Sequence, residues 1–400
     1  MDNNHFKYMD SLFLDEFKLL EELDICSKDE LEVVEKENAT ILTYKVSGNQ
    51  KLAGVIDENG VYVNISSFDA LSPVDSWGGT YILNTKQEHI HETVVYFGRF
   101  WKHWGHFLMD MVSRLWYVVE NNKNVKIVYD SADKIDGVYM EFLSLLGIKQ
   151  EQLIRINKPT RFSKVIIPEC SHKPGISCNI KFKKIFDLAA ENALLKLREK
   201  DTYAGKSIYF TRRMLNLKIP LEVGEKDIEK LFKDSGYLVI APERFPLAEQ
   251  IAMVRQADKI ACVAGTLPHN MIFSKDGAEL IIIRKTNKPN YRQMSVNKTR
   301  ELKVTNIDAH ISLYAVGPAG PFILDINENV RKFFMDKYGK CNYSKIGQWF
   351  KRKIRLFWYI PVYIMRNRGM NRQIPIFDGK VFSTAPTAKK ELFKFYLKRI

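Results

Sequence analysis

The sequence predicts an α/β chain of two lobes followed by a basic, aromatic C-terminal segment, and three observations carry that prediction. After a long helical stretch near residue 200, short apolar β-branched runs alternate with amphipathic helical runs, the rhythm of a parallel sheet covered on both faces. Before it, strand and helix patterns also alternate, with more turns between them. Residues 331–400 differ from both halves, with 18 Lys and Arg against 3 Asp and Glu and fifteen aromatic residues.

Element by element, residues 1–40 read as acidic and helix-prone, from Ser11 to Leu20 and again from Lys28 to Glu37. Residues 41–100 read as strands and turns (ILTYKV, VYVNIS and TVVYFG), with Asp57, Asn59 and Gly60 supplying turn chemistry. A helical pattern from about Trp104 to Glu120 follows, then an expected strand at Val125 to Tyr129 and an expected helix near Tyr139 to Leu146. Strands are expected at Leu153 to Ile156 and Lys164 to Ile167, and a long helix from about Phe182 to Arg198 would join the lobes. The second lobe then reads strand Ser207 to Phe210, helix Lys226 to Ser235, strand Tyr237 to Ala241 and helix Leu247 to Gln256. It continues with strand Lys259 to Ala264, helix Leu267 to Phe273 and strand Ala278 to Ile283. The implied division is an N-terminal segment 1–40, a first α/β lobe 41–200, a second α/β lobe 201–330 and the segment 331–400.

Composition narrows the class. With 400 residues, 46% hydrophobic and 27% charged, the chain is neither disordered, collagen-like nor a disulfide-stapled mini-protein. Its five cysteines (Cys26, Cys170, Cys178, Cys262 and Cys341) lack metal-ligand pairing. The pair Cys170 and Cys178 beside His172 falls short of a zinc site by one obvious ligand, so reduced thiols are expected and no metal. The opening MDNNHFKYMD has neither a basic n-region nor an apolar h-region, so no secretory leader is expected. The longest apolar run, Leu356 to Met365, contains Pro361 and falls well short of the roughly 20 residues needed to cross a bilayer.

Charge is uneven. The net charge is +14, yet residues 1–330 hold 43 Lys and Arg against 44 Asp and Glu, so the C-terminal segment carries the whole imbalance. Cations mixed with Trp349, Phe350, Phe357, Trp358, Tyr359 and Tyr363 suit an anionic membrane surface, headgroups meeting the charges and rings the acyl boundary. The same mixture could bind nucleic acid, but no nucleic-acid fold signature accompanies it and that partner is not expected. A solvated basic face over an aromatic core is the plainer alternative.

In a parallel sheet, ligands bind where strands end and helices begin. Three such exits stand in the second lobe: Thr211, Arg212 and Arg213; then Pro242, Glu243 and the helix carrying Glu249 and Gln250; then Gly265, Thr266, Leu267, Pro268, His269 and Asn270. Gly265 allows close backbone approach, Thr266 suits an N-cap and Pro268 a first helical turn, so free N–H groups and the helix dipole would favour a diphosphate. His269 and Asn270 would add donors, Arg212 or Arg213 would grip phosphate oxygens, and Glu249 fits a sugar hydroxyl. Of the two arginines, Arg212 is the stronger candidate. An ordinary strand-to-helix turn with a surface histidine is the plain alternative.

The first lobe has its own dense stretch, His103-Trp104-Gly105-His106-Phe107-Leu108-Met109-Asp110, with Arg114 beyond. Four residues apart on a helix, His106 and Asp110 share a face, and Arg114 continues the row. A neutral imidazole oriented by a carboxylate is a general base for a hydroxyl group, and His103 is either a surface residue or, with Arg114, an acceptor-side contact. A helix cap over core aromatics is the alternative here.

At these residues the chain resembles glycosyltransferase family 61, especially its bacterial capsule-type members. The matching blocks are YFGRFWKHWGHFLMDMVSRLW at 96–116, SIYFTRR at 207–213 followed by Glu225, and LAEQIAMVRQADKIACVAGTLPHNMIFSKDGAELIII at 247–283. Where the family usually has an Asn-Glu pair, this chain has Gly224-Glu225, and Ala264 to Asn270 replaces the usual H-G-A-G-L-T-N of animal and plant relatives. The resemblance implies a GT-B fold (two Rossmann-like lobes facing a central cleft), inversion at the anomeric carbon and no required metal or other cofactor.

On this reading a nucleotide-sugar donor sits on Arg212, Arg213, Glu249, Gln250, Gly265, Thr266, His269 and Asn270. His106, oriented by Asp110, deprotonates a glycan or lipid-linked glycan acceptor of a cell-surface polysaccharide. Residues 345–400 would hold the protein to the inner face of the plasma membrane, from the cytoplasmic side. The rivals are a non-catalytic nucleotide- or glycan-binding protein on the same fold, a basic nucleic-acid-binding protein, and an enzyme moving a non-sugar group such as pyruvyl.

Overall fold

The computed structural model describes residues 6–9, 27–84, 86–121, 124–197, 201–215, 222–286, 289–310, 322–341, 343–366, 373–375 and 381–383. The stretch Ser11 to Leu20, Cys26 and most of the chain after residue 366 lie outside them.

The first sheet contains β1 (Val33–Glu37), β2 (Thr40–Ser47), β3 (Gln50–Ile56), β4 (Glu88–Arg99), β5 (Lys126–Asp130), β6 (Leu153–Ile156) and β7 (Thr160–Pro168). Its order is β3-β2-β7-β4-β5-β6, with β1 pairing β7 off that path. The neighbours β7-β4-β5-β6 are parallel, whereas β1, β2 and β3 join by antiparallel pairing. A small hairpin, β8 (His172–Lys173) and β9 (Ser177–Cys178), precedes the second sheet.

The second sheet is wholly parallel: β10 (Ser207–Phe210), β12 (Leu238–Ile240), β13 (Lys259–Val263), β14 (Glu279–Arg284) and β15 (Lys303–Asp308), in the order β12-β10-β13-β14-β15. A separate parallel pair, β11 (Glu222–Val223) with β16 (Phe322–Ile323), lies beside it. β13 and β14 are almost continuously apolar and buried because helices cover both faces. The order reverses between β10 and β13, so a crevice opens beyond the carboxyl ends of those two strands.

The helices are α1 (Gly137–Leu145), α2 (Ile180–Lys196), α3 (Glu225–Asp234), α4 (Leu247–Gln256), α5 (Tyr291–Thr299), α6 (Glu328–Tyr338) and α7 (Lys345–Arg366), besides a helical run over 104–120. Their starts follow local chemistry: Asn179, Asn290 and Asn327 each accept backbone N–H bonds at the N-cap, an arrangement worth about 1 kcal/mol apiece. α3 buries Ile228, Leu231 and Phe232 at helical spacing and carries Glu225 and Asp227 in its first turn, the favourable end for negative charge.

One buried apolar cluster joins the two sheets. It contains Val95, Phe107 and Phe142 from the first lobe, Phe182, Ile185 and Phe186 from α2, and Ile260, Cys262 and Phe273 from the second. α2 is thus an internal wall shared by both halves rather than an exposed connector.

Several sequence expectations change. Residues 33–37 form a strand, not a helix: β-branched Val33 and Val34 find a ready edge in β7, and pairing outweighs the helix propensity of the neighbouring charges. VYVNIS is not a strand; Tyr62 bridges Ile56 and residues Asn64–Ser66 make a 3-10 turn. Leu267–Phe273 is a 3-10 helix. The segment 331–400 is not an appendage throughout, because Phe333 and Phe334 of α6 are buried in the second lobe's own core with Phe232. Near the other terminus, Tyr8 is buried against Phe333 and bridges Ile307, so the N-terminal segment also touches the second lobe.

Cys170, Cys178 and Cys262 are buried, and Cys178 Sγ accepts from the Thr299 hydroxyl at 3.6 Å. His172 stacks on Phe182 and bonds the Met109 carbonyl through Nδ1, and burial pushes its pKa down to about 4. Among the described residues, no helix is long and apolar enough to cross a membrane.

Candidate active site

The helical run 104–120 begins where His103 Nδ1 accepts the His106 N–H at 3.4 Å. It is not a uniform α-helix: Trp104–His106 is α, Phe107–Met111 is a π turn, Val112–Arg114 is 3-10 and Leu115–Glu120 is α again. His106 and Asp110 still meet across the first turn, Nδ1 to Oδ2 at 2.5 Å. Burial pushes the Asp110 carboxyl up, but hydrogen bonds from His106 and Arg292 outweigh it and hold the group below its ordinary value. Asp110 is therefore ionised and accepts from His106 Nδ1–H, which leaves the lone pair on Nε2.

Arg114 does not continue that row. The π and 3-10 turns break the constant angular step of the helix and swing it inward. There its guanidinium donates to the carbonyls of Pro168, Ile65 and Ser67 at 2.9, 3.0 and 2.7 Å. It is a buried brace of the first lobe. The arginine beside Asp110 comes from the second lobe instead. Arg292, on the first turn of α5, donates Nε to Oδ1 at 2.8 Å and Nη2 to Oδ2 at 2.9 Å. Its Nη2 also reaches Asp75 at 2.9 Å, and Asp75 accepts from the Tyr291 hydroxyl. A paired guanidinium, a buried carboxylate and an imidazole thus stand in line across the boundary between the lobes.

The loop after β13 abuts this group directly. A Cβ placed on Gly105 would lie 3.1 Å from His269 Cδ2 and 3.2 Å from Thr266 Oγ1, and Trp104 Nε1 donates to Asn270 Oδ1 at 2.8 Å. Asn270 therefore holds the lobes together through its side-chain oxygen rather than offering it to a ligand. His269 is buried and its pKa is pushed down to about 4 by desolvation. Gln293 Nε2 donates to Asn297, so Gln293 Oε1 accepts from His269 Nδ1–H at 2.8 Å. That tautomer makes His269 Nε2 an acceptor, suited to a hydroxyl and unsuited to donating to phosphate. Thr266 occupies the N-cap position in helical geometry, but its side chain makes no cap bond. The seven-residue 3-10 helix behind it offers little dipole.

Positive charge comes instead from two side chains. Gly265 has φ 139, a backbone shape that favours glycine, and a Cβ there would stand 2.9 Å from Arg212 Nη1 and 3.3 Å from Lys285 Nζ. Lys285 is 2.8 Å and Arg212 Nε 3.3 Å from the buried carboxylate of Glu222. The Arg212 N–H donates to Glu225 Oε1 at 3.0 Å, and the Tyr209 hydroxyl reaches the same oxygen at 3.3 Å. Burial raises the Glu225 pKa to about 7. Burial lowers the Lys285 pKa, with the Glu222 carboxylate opposing that shift. Two basic side chains and two acidic ones thus meet at the carboxyl ends of β10 and β13, and protonation of Glu225 tips the balance toward positive charge.

The remaining candidates stand apart from this cluster. Arg213 pairs with Glu229 at 2.7 Å in a partly exposed bridge. Glu249 accepts the Tyr203 hydroxyl at 2.7 Å, and Gln250 donates to the Phe245 carbonyl at 2.9 Å, so both serve the surroundings of α4. His103 is exposed beside His106, their rings 4.6 Å apart. Sequence reading missed Arg292, Asp75, Lys285 and Glu222. The strand-end rule, applied to the exit of β14, reaches Lys285, and Asn290 before Tyr291-Arg292-Gln293 is a visible N-cap signal. No local pattern joins Asp75 to Arg292, which are 217 positions apart.

Among the described residues no group of three or more His, Cys, Asp or Glu is arranged to hold a metal ion. No curated protein matches the chain. One solved structure it resembles is described as a bacterial iron-containing dodecameric glycosyltransferase, TibC, from enterotoxigenic E. coli; identity is 11%, over 58% of this chain and 69% of that one. With a TM-score of 0.22 that likeness carries no weight. The family comparison does: residues 104–281, from the start of the helical run into β14, match the model of glycosyltransferase family 61. That span holds His106, Asp110, Arg212 and the loop after β13, and on this match the chain is a glycosyltransferase.

Proposed function

We propose that the protein is an inverting, metal-independent transferase of GT-B type that moves a sugar from a nucleotide sugar to a capsular or related cell-surface glycan. The observation that carries this reading is contiguity: Arg212, Gly265, Thr266, His269, Gly105 and the His106–Asp110 pair follow one another without a gap. His106 Nε2 takes the proton of the acceptor hydroxyl, and the freed oxygen attacks the anomeric carbon from the face opposite the leaving group. The bond to the nucleoside diphosphate breaks with its electron pair, and the charge that develops is met by Arg212 and Lys285, the part a divalent cation plays in other transferases. Asp110 balances the imidazolium, and Arg292 keeps Asp110 ionised and in place. His269 Nε2 accepts a sugar hydroxyl. The basic excess of the C-terminal segment favours work at the inner face of the plasma membrane, on lipid-linked acceptors.

The deciding experiment incubates the purified chain with a panel of nucleotide sugars, with and without a chelator. Thermal stabilisation, donor hydrolysis and the anomeric configuration of any product are the readouts. Stabilisation by one nucleotide family and an inverted product, both unchanged by chelator, are expected. Stabilisation without any hydrolysis or transfer would favour the non-catalytic binding reading, and loss of turnover with chelator would remove metal independence.

A further inference from the structure

α7 meets the second lobe with its polar side. Gln348 is buried and donates to Asp325 Oδ1 at 2.8 Å. Arg355 pairs with Asp227 and donates to the Leu324 carbonyl at 3.2 Å. Lys351 bridges to Asp227 at 2.9 Å, and Arg352 lies 4.0 Å from Asp325. These four positions fall on one side of a helix with 3.6 residues per turn.

Among the described residues the opposite side is apolar and exposed. Ile346, Trp349, Phe350, Ile354 and Phe357 are 73, 55, 57, 58 and 51% exposed. At about 100° per residue they fall within an arc of about 140°, and Lys353 stands among them with its ammonium 5.5 Å from the Trp349 ring centroid. A surface helix of a globular protein normally turns its apolar stripe toward the core. Here ion pairs hold the polar side against the protein, and the stripe faces away.

We infer that this face of α7 is a seat for an anionic lipid surface, into which the five apolar side chains insert while Lys353 meets headgroup charge. Charge complementarity selects the occupant. Lys353 stands on this face, and in sequence residues 331–400 carry 18 Lys and Arg against 3 Asp and Glu, so a second copy of the segment would bring like charge against like, whereas anionic headgroups neutralise it. Ile346 and Ile354 cannot stack on bases, but they bury well among acyl chains. The lobe already supplies the polar contacts that orient the helix, so its apolar stripe is preset rather than formed on binding.

The seat adjoins the donor cluster. Asp227, which receives Lys351 and Arg355, is in the first turn of α3, two residues beyond Glu225. A Cβ on Gly224 would stand 2.1 Å from the Leu324 carbonyl oxygen that Arg355 also reaches, so this corner is tightly closed. The polar side of α7, opposite the apolar face, is therefore anchored within one helical turn of the carboxylate that receives the Arg212 N–H.

The test is sedimentation of the full chain with vesicles of phosphatidylcholine alone or containing about one-third phosphatidylglycerol, a readout independent of any transfer chemistry. The chain is expected to pellet with the anionic vesicles and to stay in solution with the neutral ones. The variant Ile346→Ser/Phe350→Ser/Phe357→Ser should lose affinity for anionic vesicles by about tenfold or more while keeping the native melting temperature and any stabilisation by nucleotide sugars. A milder variant, Trp349→Phe, should lower quenching of tryptophan by brominated lipid and still pellet. Unchanged pelleting of the triple variant overturns the inference. So does a wild-type dimer that the triple variant dissolves while neither chain pellets, since a second copy would then be the occupant. Binding to RNA that the triple variant loses, without vesicle binding, overturns it as well.

Discussion

His106 has one ring nitrogen committed to Asp110 and the other carrying the lone pair, an assignment that depends on Asp110 being charged. Two hydrogen bonds from Arg292 keep it charged in spite of burial. Replacing His106 with Ala is expected to lower kcat by about 10²–10⁴ while leaving donor affinity near wild type, since proton transfer is lost and the anion site is untouched. Single-turnover assays with saturating donor check this. Arg292→Ala should act through Asp110. A carboxyl held below its ordinary pKa ionises early, and without the guanidinium it rises. The fall of kcat on acidification should therefore begin at higher pH than in the wild type. Arg292→Lys, which keeps a charge but loses the paired geometry, should fall between the two in a pH–rate profile. An unshifted acid limb in Arg292→Ala would show that Asp110 does not depend on Arg292.

At the scale of elements, the exits of β10, β13 and β14 form the proposed anion site, whose pH response can be stated in advance. Glu225 opens α3 from a buried position with a pKa near 7. Below that pH it is neutral and leaves Arg212 and Lys285 to an incoming diphosphate; above it, its charge opposes the ligand. Nucleotide affinity should fall as pH rises from about 6 to 8, and Glu225→Gln should flatten the curve, as titration calorimetry would show. Stability has the same sign. A carboxyl whose pKa is raised in the folded state stabilises fully below its unfolded value and loses that stabilisation between about pH 4.5 and 7, so Glu225→Gln should reduce the decline of Tm over that interval. Arg212→Ala and Lys285→Ala should each weaken donor binding by about 1.5–3 kcal/mol, the range for a charge-assisted hydrogen bond.

Much of this element level was legible in the sequence, because the β13 and β14 runs, KIACV and ELIIIR, declare buried parallel strands and ligands gather where such strands end. The pairing of His106 with Asp110 was legible too, since helical spacing alone brings residues four apart together. Arg114 was misplaced because a π turn cannot be read from hydrophobic spacing. Residues 33–37 were misread because strand partners far along the chain decide their state. Arg292 and Lys285 were missed because their partners come from distant segments, a relation no local pattern encodes.

For the molecule as a whole, the shared core matters most. Phe107, Phe142, Phe182, Phe186 and Phe273 belong to one buried cluster spanning both sheets. Unfolding should therefore be a single cooperative transition, with calorimetric and van't Hoff enthalpies in agreement; two separable transitions would mean that the lobes are independent units. The Arg292–Asp110 pair adds to that unity, because parting a buried ion pair costs about 3–5 kcal/mol when one charge is left behind. It also bears on synthesis. A ribosome has made the imidazole and its carboxylate long before it reaches residue 292, so a nascent or truncated chain lacks the guanidinium that fixes Asp110 beside His106. The alignment of that pair would then be completed only late in translation, when the last strands and α5 close over the first sheet.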